Sequence, residues 1–339
     1  MIAGWLCPFV PRWYQHARLG AFGGDDDTVD AQHNLIEITS GLRFPEGPIA
    51  LPDGSVLLVE IAAGQLTRVQ PDGSKEVVAT PGGGPNGAAI GPDGRVYLCN
   101  NGGMNFVSRD GLLLPANCDD DTPAGRIEAV DLNTGAVEVL YTECNGHPFS
   151  APNDLVFDAD GGMWFTDHGK TRRHNRDLGG VFYAHADGSE VRRVVGHLDG
   201  PNGIGLSPDG KVVYVAETHT GRIWGFDISA PGKITPSPLR PAPWLLGRLV
   251  ANPPGLHLFD SLAIDAEGNV VVASIPGSIE TISPNGETVE SVPMPDRFPT
   301  NVCFGGDDLR TGYMTLSGSG KLVSRQWPRA GLALHFLNR

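Results

Sequence analysis

Short apolar runs separated by turns rich in Gly, Pro and Asp recur along the chain, and one pattern is written six times. In its fullest form, Ala151 to His168, a polar residue after a proline opens the apolar run Leu155–Phe157. An Asp-Gly turn follows, and a second apolar run, Met163–Phe165, ends in polar residues. Two short apolar runs about a tight glycine turn predict a β-hairpin. Five copies place Glu46, Asn86, Asn153, Asn202 and Asp260 eight positions before Gly54, Gly94, Gly161, Gly210 and Gly268. The sixth, with a blurred turn at Gly305–Asp308, puts Asn301 in the same role.

A unit of roughly 40 residues with four strands is the signature of a β-propeller, whose innermost strands face a central channel. The reading is therefore an all-β chain forming a six-bladed β-propeller over 34–339, with a central divalent-metal site. Residues 1–33 carry no sustained period and read as a mobile leader or an over-early start. Leu35–Thr39 alternates like a strand and is expected to complete the last blade. Residues 100–125 interrupt blade two and are long enough to be functional, with Phe106 and Leu112–Leu114 able to roof a pocket. A basic loop, 168–178, reads as solvated, and a proline-rich path from Pro231 to Pro243 is expected to replace the outer edge of blade four. The last segment, Leu332–Phe336, is expected to cover blade six.

The chain has 339 residues, a formal net charge of −14, 46 Gly and 28 Pro, which suits many short strands and tight turns. That charge argues against phosphate-backbone binding, which needs clustered Lys and Arg, so nucleic acid is not an expected partner. Five cysteines without a Cys-x-x-Cys pair fit a reducing compartment. No run reaches the length of a membrane span, and Met1–Val10 lacks the basic flank of a signal peptide. The expectation is a cytoplasmic protein that does not engage a membrane.

Six equivalent residues at one end of the inner strands make a ring of Glu46, Asn86, Asn153, Asn202, Asp260 and Asn301, all oxygen donors. Two carboxylates among amide oxygens, with no Lys or Arg, ask for a hard cation. Ca²⁺ suits this set first, with Mn²⁺, Mg²⁺ or Zn²⁺ as alternatives. Each hairpin returns its second strand to the ring's face, so Glu60, Asn100, Asp167 with His168, Glu217 with His219, Ser274 and Ser317 belong on the rim. Loop 145–148, with His147, is expected to hang over it. An isolated Asn at a strand start more often bonds nearby backbone than a metal; six in register argue otherwise. The candidate substrate-binding set is Asn86, Asn100, His147, Asp167, His168, His219 and Asn301. The run Asp119–Asp121 lacks the EF-hand spacing and reads as solvated.

With Phe44-Pro-Glu46-Gly-Pro, Ala151-Pro-Asn153-Asp-Leu, Gly200-Pro-Asn202-Gly-Ile, Phe259-Asp260-Ser-Leu-Ala and Asn301-Val-Cys-Phe-Gly-Gly in order and register, the chain resembles the senescence marker protein/gluconolactonase/luciferin-regenerating enzyme family over about residues 40 to 325. The resemblance implies one divalent metal held by Glu46, Asn202 and Asp260, with Asn153 at the metal or its water. It also implies hydrolysis of a lactone, with Asp260 and Asn153 catalytic and Asp260 activating the water. Sugar-lactone members commonly carry an Arg where Ala151 stands, which turns the expectation toward a less polar lactone or ester. An organophosphate-hydrolysing propeller and a non-catalytic binding propeller with a structural metal are the alternatives.

Overall fold

The computed structural model describes residues 34–339, so the expected leader lies outside the described residues. Six antiparallel sheets form the blades. Blade one holds Pro45–Ala50, Val56–Glu60, Gln65–Val69 and Lys75–Ala79; blade two Pro85–Ile90, Val96–Asn100, Arg126–Val130 and Val137–Tyr141. Blade three holds Pro152–Phe157, Gly162–Asp167, Gly179–His185 and Val191–Leu198, and blade five Leu258–Ile264, Val270–Ile275, Ser278–Ile282 and Thr288–Pro293. Blade six takes Pro299–Gly305, Thr311–Leu316 and Lys321–Gln326, and its fourth strand is Ile36–Thr39 from the other end of the chain, Ile36 opposite Ser324. Among the described residues no helix is long and apolar enough to cross a membrane.

The strands are apolar on both faces because each blade packs against two neighbours. Alternate residues of one strand serve the two sides: Leu57 and Val59 join Val96 and Leu98 of blade two, while Val56 and Leu58 join Leu322 of blade six. The same arrangement continues at the other boundaries, with Phe157 and Phe165 toward blade two and Trp164 toward Ile204 and Val215 of blade four.

Blade four departs from expectation. Its outer edge is not replaced; it is split. Arg222–Ala230 pairs with Lys233–Thr235 and again with Arg248–Ala251, and the proline-rich residues 236–247 loop out between them. Prolines lack the N–H that a ladder needs, so the strand stops and resumes. The C-terminal segment also departs from expectation, passing under the channel instead of covering blade six. Leu332 N donates to Ile264 O of blade five, Phe336 meets Phe157 of blade three at 6.0 Å between ring centroids, and Leu337 packs on the cluster of blades one and two.

Each inner strand slips register at its ring position, between Glu46 and Ile49, Pro85 and Ala88, Pro152 and Leu155, Pro201 and Ile204, Phe259 and Leu262, and Pro299 and Asn301. Such bulges re-aim side chains, here carrying the polar residue to the channel. The residue after it meets the neighbouring inner strand so closely that three copies need glycine. A β-carbon at Gly87 would lie 2.5 Å from Asn153 O and 2.6 Å from Asp154 Cα, and one at Gly203 2.5 Å from Leu262 N. Because backbone cannot yield cheaply, Gly87→Ala is expected to cost about 1–3 kcal/mol, read as a lower denaturant midpoint with an unchanged slope. An unchanged midpoint would mean that the ring relaxes freely.

Candidate functional site

The inner strands touch one another around a closed circuit, which brings the six ring residues to one channel. Glu46, Asn86, Asn153, Asn202 and Asn301 are buried and Asp260 is partly open. Glu46 Oε2 accepts from Gly47 N and from Asn301 Nδ2, both at 2.9 Å, and Asn301 Oδ1 accepts from Val302 N at 2.8 Å. Asn202 is held at both ends of its amide, by Ser261 Oγ donating to Oδ1 at 3.3 Å and by Thr218 Oγ1 accepting from Nδ2 at 3.2 Å. Thr218 is itself fixed by donating to Phe259 O at 2.6 Å. Asn153 Oδ1 differs from these: it is buried and has no partner.

A third carboxylate lies with the two expected ones. Asp154 is buried beside the ring, and Leu155 N donates to its Oδ1 at 2.9 Å. Burial, with the Glu46 charge beside it, pushes its carboxyl up to about 7. Burial raises Glu46 as well; burial and then the Glu46 charge hold Asp260 well above the usual carboxylate range. No Arg or Lys is among the groups shifting these three acids; the Glu46 charge raises Asp154 and Asp260, and the Asp154 charge raises Asp260 further. The pattern reading missed Asp154 because it follows a ring position rather than filling one. The signal was in the copies: where this position elsewhere is Gly47, Gly87, Gly203, Ser261 or Val302, only blade three carries a charge.

Among the described residues, no three His, Cys, Asp or Glu side chains gather into a metal-holding group. The ring's donor set is of another kind, carboxylate and amide oxygens together, and it fits a hard cation on two counts. Buried acids without a counter-charge need one, and the unpartnered Asn153 Oδ1 needs a donor or a cation.

Several rim residues serve a different purpose from the expected one. At the ends of the second strands, side chains tie down the loop that enters their own blade. Glu60 accepts from Arg43 N at 2.7 Å, Asn100 from Gly84 N at 3.0 Å, Asp167 from Ala151 N at 2.7 Å and Ser150 N at 2.8 Å, and Glu217 from Asp199 N at 2.7 Å. Asn100 also accepts from Gly102 N and donates to Gly82 O and Glu128, which uses its whole amide. These are latches that fix the ring's approach, and Asn100 and Asp167 are spent on backbone. His147 is a correction too: it sits exposed on a small hairpin with Glu143 and Cys144, whose Sγ reaches Val191 O on the outermost strand of blade three. Buried Phe149, edge-on to Phe165 and Phe182, anchors that hairpin away from the channel.

His168 and His219 do stand at the mouth. His168 N donates to Ala151 O, two residues before Asn153, and His219 follows Thr218, which holds Asn202. Their ring centroids are 5.2 Å apart, nearly perpendicular. Burial pushes His168 down, and burial followed by the His168 and Arg176 charges pushes His219 to about 3.

The loop over 100–125 folds into a hairpin, Asn105–Arg109 against Leu112–Ala116. It reaches from blade two across blade one, where Phe106 meets Phe44 at 5.0 Å, to blade six, where Leu113 N donates to Gly318 O at 2.8 Å. Its return is pinned to blade three by Cys118 N donating to Thr171 O and by Lys170 Nζ donating to Pro123 O and Ser150 O. Lys170 is thus buried rather than solvated, its ammonium held between carbonyls. Below the ring the channel turns apolar, a space of about 130 Å³ lined by Ile204, Leu262, Val302, Leu332, Leu334 and Leu337.

Against known proteins, the family model described as SMP-30/Gluconolactonase/LRE-like region matches residues 44–318. A gluconolactonase of Zymomonas mobilis is 27% identical over 308 residues, covering 83% of this chain and 78% of that one. A diisopropyl-fluorophosphatase of Loligo vulgaris is 26% identical over 244 residues, covering 64% and 73%. The crystal structure of a calcium-binding protein, regucalcin, from Agrobacterium tumefaciens superposes with a TM-score of 0.68 at 18% identity, covering 89% of this chain and 96% of that one.

Proposed function

The chain belongs to the SMP-30/Gluconolactonase/LRE-like family, and from that premise we propose that it is a metal-dependent lactonase whose ring residues Glu46, Asn153, Asn202 and Asp260 hold one divalent cation, Ca²⁺ first among candidates. The observation that carries the reading is the buried, unpartnered Oδ1 of Asn153 in a ring whose acids have no cationic partner. Lactone hydrolysis by a relative and calcium binding by a structural neighbour point the same way.

When bound, such a cation supplies the positive charge that polarises a carbonyl oxygen and makes water more acidic. The protein supplies the rest. Asp260, the ring member partly open to the channel, takes a proton as the water oxygen bonds to the carbonyl carbon. The ring C–O bond breaks, the departing oxygen takes a proton, and a hydroxy acid leaves. Asn301 and Gly47 hold Glu46, and Thr218 and Ser261 hold Asn202, so the donors keep their places without a change of fold. The roofing hairpin excludes water and sets an apolar face, Phe106 and Phe44, against the substrate.

The resemblance to a fluorophosphatase supports one rival, phosphotriester hydrolysis at the same ring. Both are tested by pH-stat hydrolysis of a sugar δ-lactone, an aliphatic γ-lactone, an aryl lactone and a phosphotriester. Chelator-stripped protein is expected to be inactive and to regain lactone turnover with added Ca²⁺. Turnover of the phosphotriester alone would favour the rival, and equal rates with and without metal would sink the metal-dependent reading.

A further inference from the structure

We infer that three hydroxyls, Thr166, Thr218 and Ser317, are positioning residues that fix, each from the preceding blade, the backbone carrying Asn202, Asp260 and Glu46. The inner strands slip register at these ring positions, and carbonyl groups beside an interrupted ladder need another donor. At three blade boundaries that donor is a side-chain hydroxyl. Thr166 Oγ1 of blade three donates to Asn202 O at 2.6 Å. Thr218 Oγ1 of blade four donates at 2.6 Å to the carbonyl of Phe259, the residue before Asp260. Ser317 Oγ of blade six donates to the carbonyl of Pro45, the residue before Glu46, with Thr300 Oγ1 bonded to it from behind. Among the described residues, Asn86, Asn153 and Asn301 and the residues leading into them receive no such hydroxyl bond.

Thr218 and Ser317 share one place in the repeat. One residue past the strand partners of Pro45, Pro85, Pro152, Pro201, Phe259 and Pro299 stand Ile61, Asn101, His168, Thr218, Ile275 and Ser317. Only two of these six carry hydroxyls, and they end the blades that precede the two ring carboxylates. Thr218 also settles the neighbouring amide. A carbonyl only accepts, so the Thr218 proton lies toward Phe259 O, and toward Asn202 its oxygen acts as an acceptor, 3.2 Å from Nδ2. The nitrogen of Asn202 is thereby assigned to the Thr218 side, and Oδ1 is the end that a cation can meet. A calcium ion holds its oxygens at about 2.3–2.6 Å, so a donor whose backbone drifts is lost to it. The three ring members held this way are among the four proposed above to hold the cation.

The bonds belong to the fold; their purpose rests on the metal site proposed above, and the test separates the two. Calcium affinity is measured by calorimetry on chelator-stripped protein, with a thermal melt in chelator and δ-valerolactone turnover on the same preparations. Thr218→Val removes the hydroxyl and keeps the shape, and is expected to weaken calcium binding about 10- to 100-fold. Ser317→Ala should do likewise, and as the smaller change it keeps the test readable if Thr218→Val does not fold. Thr218→Ser, which restores the hydroxyl, should stay near wild type. The control is Thr39→Val at the outer edge, where Thr39 Oγ1 of blade six donates to Gly73 O of blade one at 2.9 Å. It removes the same kind of bond between blades, so Tm should fall while calcium affinity holds. Affinity within about twofold of wild type in either folded variant, or an equal loss in Thr39→Val, would overturn the positioning role alone. A wild type that takes up no divalent cation would overturn that role together with the metal reading. Calcium binding that Thr218→Val weakens, in a protein that turns over no lactone, would overturn the lactonase reading alone.

Discussion

Replacing Asp260 with Asn is expected to lower kcat/KM for lactone opening by about 10²–10⁴-fold, with little loss of fold or bound metal. The substitution keeps an oxygen in the ring, so a cation retains that donor, but an amide cannot take a proton from water. Asn is also the residue that four other copies carry at this position, so the inner strand accommodates it, and relief from the Glu46 and Asp154 charges should offset much of any lost hydrogen bonding. The measurement is steady-state hydrolysis beside a melt and a metal analysis on the same preparation. Retained activity with bound metal would remove Asp260 as the base; lost activity together with lost metal would leave it a ligand only. A non-catalytic binding propeller would show no turnover in wild type to lose.

The metal-free protein should become less stable as pH rises above 6.5. Glu46, Asp154 and Asp260 hold their protons more tightly folded than unfolded. Stability from such groups is complete below the unfolded carboxylate range near pH 4 and is lost as pH climbs through the folded value, about 7 for Asp154. His168 and His219, pushed down by burial, work in the reverse direction, but their contribution is complete by about pH 6.5. Between pH 6.5 and 9 the loss from Asp154 alone is about 1 kcal/mol, most of its effect having accrued between about pH 4 and 7, a fall of roughly 2 °C in Tm to which Glu46 and Asp260 add. Saturating Ca²⁺ should cancel the fall, since a cation stabilises the ionised acids. Thermal scans across that range, in chelator and in calcium, read both curves. A stripped protein whose Tm holds or rises to pH 9 would show that these acids do not repel one another.

The ring was legible because in five copies the polar residue stands eight positions before its turn glycine, and a repeat makes weak single signals add. The closing strand, expected over Leu35–Thr39, is found at Ile36–Thr39, since blade six lacks a fourth strand of its own. What pattern could not convey was direction. Asn100 and Asp167 end strands at the right face, yet they turn to the backbone of the entering loop, because free N–H groups there need acceptors. His147 follows the path of Phe149, whose burial between Phe165 and Phe182 turns the chain outward, a tertiary contact that no local spacing encodes. Lys170 was read as solvated from its neighbours Arg172 and Arg173, but the return of the roofing hairpin buries it.

The segment from Leu332 to Leu337 lies beneath the channel, so the two ends of that channel differ in chemistry, polar at the ring and apolar under it. Arg339 lines the apolar space together with that segment. On the lactonase reading proposed above, the polar end is the one that substrate must reach, beside the hairpin that bridges blades two, one and six.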